Sequence, residues 1–105
     1  MRVVLGVDVG TTSLSALAYD CDSQIVLAQV TLANDSSRYG ELPGGLLRAE
    51  LDLDDMRRQL VNLLTTTARE LPPEAHVDGI GVTGQQRGMA LLDANLQPLA
   101  PAITW

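Results

Sequence analysis

Short apolar runs broken by polar turns fill the first third of the chain; a three- and four-residue spacing then takes over, and short runs return afterwards. Val3-Val4-Leu5 leads into Gly6-Val7-Asp8-Val9-Gly10-Thr11-Thr12-Ser13, and Leu14-Ser15-Ala16-Leu17-Ala18-Tyr19 leaves it. This predicts strands over Arg2–Asp8 and Ser13–Asp20, joined by a tight glycine-containing turn. Cys21-Asp22-Ser23 reads as a polar turn and Gln24–Thr31 as a third strand, completing a meander. Ala33–Leu46 is rich in Asn, Asp, Ser, Gly and Pro and reads as a long surface loop, of a length that is often functional.

A helix is predicted next. Asp52, Asp54 and Asp55 cluster at its start, where a carboxylate caps free amides and meets the positive end of the helix dipole. Leu53, Met56, Leu60, Leu63, Leu64 and Thr67 recur at helical spacing and give one apolar face, with Arg57, Arg58, Arg69 and Glu70 on the solvated side. Leu71-Pro72-Pro73 stops the helix. Val77–Thr83, ending in Gly84, is predicted as a fourth strand, and Met89–Asp93 as a fifth before the turn Ala94-Asn95-Leu96. Strand, helix and strand in that order predict a right-handed crossover with parallel pairing. The expected architecture is α/β: a three-stranded antiparallel meander, a helix, then a parallel strand.

Composition narrows the function without naming it. The chain has 105 residues, enough for one modest core, and a net charge of −6 with no basic cluster, which argues against nucleic acid or an anionic membrane as partner. All seven basic residues are Arg. The single Cys21 cannot form an internal disulfide, which fits a reducing cytoplasm, and with one His, His76, it reads as an inert turn residue. There is no membrane-length apolar run and no signal-peptide pattern, so the expected location is cytoplasmic.

Two clusters carry candidate chemistry. At the first turn, Gly10 lets a ligand approach the backbone, Thr11, Thr12 and Ser13 add hydroxyls, and the amides could form a concave anion site. Asp8 stands where a carboxylate could hold a hydrated Mg²⁺ on a nucleotide. An ordinary hairpin with a polar tip accounts for the same residues. The second cluster, Gly84-Gln85-Gln86-Arg87-Gly88, follows the fourth strand at its carboxyl end, where open α/β sheets bind ligands. Gln85 and Gln86 each donate and accept, and Arg87 offers a planar fork of donors, a set suited to a polyhydroxylated ligand. A polar connecting loop with no ligand is the alternative. The chain ends on an apolar stretch whose last residue is its only Trp, Trp105, which reads as a cut through a longer chain. An indole there suits an apolar platform for a sugar ring, or a place in the core.

Taken together, the first motif, Ile80-Gly81-Val82-Thr83-Gly84-Gln85, Leu91-Leu92-Asp93 and Pro101-Ala102-Ile103-Thr104-Trp105 resemble the N-terminus of an FGGY-family carbohydrate kinase, with xylulokinases as the nearest subgroup. Order and spacing agree along the whole chain, including Arg48-Ala49-Glu50-Leu51-Asp52. The first motif alone is shared with other actin-like ATPases; the combination is specific.

The resemblance implies a ribonuclease H-like (actin-like ATPase) fold, of which residues 1–105 form an incomplete N-terminal domain. It implies ATP and Mg²⁺ as cofactors and a small sugar or polyol, a ketopentose such as xylulose, as substrate. Asp8 would face Mg²⁺ and the phosphates; Gly10, Thr11, Thr12 and Ser13 would form the phosphate-binding hairpin; Gln85, Gln86, Arg87 and Trp105 would line the sugar pocket. The catalytic Asp and the adenine-binding half lie beyond Trp105 in relatives, so no catalytic residue is expected in this chain, and residues 1–105 alone are expected not to turn over ATP. Three positions depart from the pattern. Ser15 stands where relatives carry a Lys or Arg; Gln86 and Arg87 stand where glycerol kinases have Arg and Glu; and Arg87 replaces the xylulokinase His. A non-enzymatic actin-like nucleotide-binding module is the competing reading. Unpaired sheet edges also make a homo-oligomer conceivable.

Overall fold

Two sheets and one helix make up the computed structural model, which describes residues 1–84 and 88–104. The strands are β1 (Arg2–Val9), β2 (Ser13–Asp20), β3 (Ile25–Ala33), β4 (Ser37–Leu42), β5 (Leu46–Leu51), β6 (His76–Gly84) and β7 (Ala102–Thr104); α1 spans Leu53–Arg69. The larger sheet has the order β3-β2-β1-β6, with β1–β2 and β2–β3 antiparallel and β1–β6 parallel. The predicted meander and parallel strand are therefore present.

Strict alternation in β1 and β2 explains the layering. Val3, Leu5 and Val7 point to one face, joined there by Leu14, Ala16 and Ala18, while Val4, Gly6 and Asp8 face outward. The helix covers the apolar face across β2 and β3, with Leu63 and Thr67 fully buried and Leu60 and Leu64 packed against the core clusters. Asp52 is its N-cap, its side chain accepting from the Asp55 amide at 3.0 Å, and Asp54 and Asp55 complete an acidic first turn. Thr67 is tolerated inside because its hydroxyl donates to the Leu63 carbonyl at 2.8 Å. Among the described residues no helix is long and apolar enough to cross a membrane. Every residue of β6 is exposed, although Ile80 and Val82 sit in register with Leu5 and Val7; the helix packs chiefly on β2 and β3.

Two expectations are corrected. Ala33–Leu46 is not a loop; most of it forms the hairpin β4–β5, turning through Pro43-Gly44-Gly45. Gly44 and Gly45 have φ of 89° and 80°, which the reversal requires and which L side chains rarely adopt. The strand escaped notice because β4 carries Arg38, Tyr39 and Glu41 exposed and has no apolar stripe to betray it. Nor is Met89–Asp93 a strand. It makes only single bridges, Met89 with Ile103 and Leu92 with Pro98. Pro98 and Pro101 lack the amide a continuous ladder needs, so the facing segment pairs intermittently.

The β2–β3 turn is fastened by carboxylates. Asp20, 4% exposed, accepts from the Asp22 amide at 2.9 Å and from the Ser23 hydroxyl at 2.5 Å. Asp22 accepts from the Arg2 amide at 3.1 Å and pairs with its guanidinium at 3.0 Å. The Ser23 hydroxyl first, and then the Asp22 amide, hold the Asp20 carboxyl below its ordinary range; the Arg2 amide and guanidinium do the same for Asp22. A carboxylate lowered in the folded state stabilises the fold above its unfolded pKa, and that stability is lost as pH falls through the folded value. The urea midpoint should therefore stay level from pH 7 to about 5 and fall below about 4. An Asp20→Asn, Asp22→Asn double variant should show a shallower acid limb; an unchanged limb would contradict these roles.

Candidate functional site

The β1–β2 turn is built around one close approach. Gly10 donates its amide to the Ser13 carbonyl at 2.9 Å. A Cβ at Gly10 would lie 2.7 Å from that same carbonyl oxygen, a distance real Cβ atoms do not adopt against backbone. Only glycine closes this turn without moving the strands. Thr11 and Thr12 are exposed at its tip and Ser13 is half-buried as β2 begins.

Behind the turn runs a polar row across the outward face. Asp8 is in register with Ser15 on one side and Thr83 on the other, and Ser15 with Thr31. The Ser15 and Thr31 hydroxyls are 3.0 Å apart and bond to each other. A shallow depression over this face is lined by Gly6, Asp8, Ser15, Leu17, Gln29 and Thr83. Gly6 and Gly81 pair in register beside it and contribute no side chain to fill it. Asp8 itself is exposed.

The parallel pairing brings Gly84, where the second cluster begins, to the same edge. Val9 is in register with Gly84, so β1 and β6 end side by side, one leading into Gly10 and the other into Gln85. Asp8, Gly10, Thr11, Thr12 and Ser13 are thus gathered at one end of the sheet. Gln85, Gln86, Arg87 and Trp105 lie outside the described residues. Among the described residues no group of three or more His, Cys, Asp or Glu side chains could hold a metal ion.

Sequence reasoning missed the residues that fasten the turn. Asn34, 8% exposed, donates from its amide nitrogen Nδ2 to the Gly10 carbonyl at 2.8 Å and from its backbone amide to the Thr12 carbonyl at 2.9 Å. Its Oδ1 accepts from the Ser36 amide at 3.0 Å and from the Ser36 hydroxyl. The signal was present: Asn followed two residues later by Ser is a side-chain-to-backbone turn pattern. It was hidden inside a segment read as one long loop.

The family model for the N-terminal domain of the FGGY family of carbohydrate kinases matches residues 3–105. The chain belongs to this family. A xylulose kinase of Bacillus subtilis (strain 168) is 27% identical over 106 residues, covering 100% of this chain and 20% of the relative. A gluconokinase of the same organism is 27% identical over 104 residues, covering 97% of this chain and 18% of that relative. Among solved structures, the ligand-bound xylulose kinase from Lactobacillus acidophilus superposes with a TM-score of 0.77 at 20% identity, over 100% of this chain and 20% of the other. The chain thus spans about a fifth of the length of these FGGY proteins, and it matches part of their actin-like ATPase fold.

Gly10→Ala tests the turn directly. The added methyl must push the Ser13 carbonyl away, and the expected cost is about 1–3 kcal/mol, as for other overpacked sites. Urea denaturation of the variant and of wild type measures it; equal midpoints would show that the turn is not closed at Gly10.

Proposed function

We propose that this chain is the phosphate- and sugar-facing first segment of an ATP-dependent carbohydrate kinase that acts in the cytoplasm on a ketopentose such as xylulose. The observation that carries the proposal is the fastened turn at Gly10–Ser13, set beside Asp8 and beside the end of a parallel strand that leads into Gln85-Gln86-Arg87. Family membership over residues 3–105 and the relatives named xylulose kinase and gluconokinase support it.

In this reading the amides and hydroxyls of Thr11, Thr12 and Ser13 hold phosphate oxygens, because a compact turn concentrates donors where an anion can meet several at once. Asp8 is an exposed carboxylate at the end of β1, next to that turn. That fits Mg²⁺, which keeps most of its water and needs few protein ligands. Bound there, the ion would neutralise phosphate charge during transfer. Gln85, Gln86 and Arg87 hold the sugar hydroxyls and Trp105 gives a ring an apolar platform. The chain's own contribution is to fix donor and acceptor in line, which lowers the barrier by positioning.

The decisive assay offers a panel of ketoses and polyols to the full-length protein with ATP and Mg²⁺ and follows ADP formation. One or two sugars should be phosphorylated. Arg87→Ala should then raise KM for that sugar about tenfold or more, the loss of a charge-assisted hydrogen bond, with KM for ATP unchanged. Sugar-independent ATP turnover, or none at all across the panel, would overturn the proposal.

A further inference from the structure

We infer that Asn34 is a positioning residue for the phosphate-binding turn: it holds the turn's carbonyls on one side, so that the amides of Thr11, Thr12 and Ser13 face the other. The inference rests on the functional reading above, and it concerns how that site is made.

Three consecutive carbonyls are directed at one short segment. Gly10 O accepts from Asn34 Nδ2 at 2.8 Å, Thr12 O from the Asn34 amide at 2.9 Å, and Thr11 O from the Ser37 hydroxyl at a longer 3.5 Å. None of the described peptide bonds is cis. In a planar trans peptide the C=O of one residue and the N–H of the next point in opposite directions. Fixing the carbonyls of residues 10, 11 and 12 towards residues 34–37 therefore turns the amides of residues 11, 12 and 13 away from them. Three adjacent donors are left pointing the same way.

The Asn34 side chain has no freedom to reverse. Its Oδ1 accepts from the Ser36 amide, which can only donate, and its Nδ2 faces the Gly10 carbonyl, which can only accept. Flipping the amide would set donor against donor and acceptor against acceptor. Ser36, fully buried, accepts at its own carbonyl from the Asp52 amide at 2.8 Å, and Asp52 caps α1. Turn, Asn34, Ser36 and helix N-cap thus form one connected frame, and the helix anchors it to the core.

The test uses the full-length protein and reads KM for ATP, KM for the sugar, kcat and melting temperature. Asn34→Ala should raise KM for ATP about tenfold and leave KM for the sugar within about twofold, since one hydrogen bond fixes each donor. Ser36→Ala, which removes only the hydroxyl bond to Oδ1, should give a smaller shift in the same direction. If Asn34→Ala does not fold, Asn34→Asp keeps the acceptor for Ser36 and loses the donor to Gly10. Its KM for ATP should stay raised in high salt, which screens a charge effect but not a missing hydrogen bond. A lowered melting temperature with both KM values unchanged would overturn the inference while leaving the kinase reading intact. A wild-type protein that phosphorylates no sugar would overturn the reading itself.

Discussion

The hydrogen bond from the Gly10 amide to the Ser13 carbonyl, closed over a carbon that can carry no side chain, is the constraint on which the candidate site depends. It joins two strands that would otherwise need a longer connection, and it sets Thr11 and Thr12 at the exposed tip. A longer or more open turn would let each peptide rotate independently. Here the turn is pinned from a second direction by Asn34, from the end of β3, so the backbone donors are held before any ligand arrives. Donors fixed in advance cost nothing to reorganise when charge moves, which is how positioned backbone amides contribute to phosphoryl transfer.

The sheet turns this local device into a site. Alternation in β1 and β2 sends Val3, Leu5, Val7, Leu14, Ala16 and Ala18 to the helix side, which leaves Asp8, Ser15, Thr83 and Gly6 on the other. One strand face is spent on stability and the other is free for chemistry. Parallel pairing of β6 with β1 then places the exits of both strands together at Val9 and Gly84. Val9 and Gly84, more than seventy residues apart in sequence, so meet at one end of the sheet. At Ser15, a position that departs from the pattern the resemblance implied, the hydroxyl bonds to that of Thr31.

Much of this was legible in the sequence, for identifiable reasons. The meander, the helix and β6 carry strong periodic or apolar signals, and Pro72-Pro73 marks the helix end without ambiguity. The combination of the Gly10 motif with the Gly84-Gln85 stretch and the Leu-Leu-Asp and Pro-Ala-Ile segments identified the family, which the match over residues 3–105 bears out. The hairpin β4–β5 was not legible, because it is held by backbone bonds and a Gly-Gly turn while Arg38, Tyr39 and Glu41 of β4 face water. Asn34 went unseen with it. Its role depends on a carbonyl 24 positions earlier in the chain, a distance that no local pattern spans.

The most direct test of the account is a crystal structure of the full-length protein with Mg·ADP bound. Phosphate oxygens should lie about 3 Å from the amides of the β1–β2 turn, with the Asn34–Gly10 bond intact. Nucleotide bound elsewhere, or bound at the turn only after that bond has broken and the peptides have rotated, would contradict it.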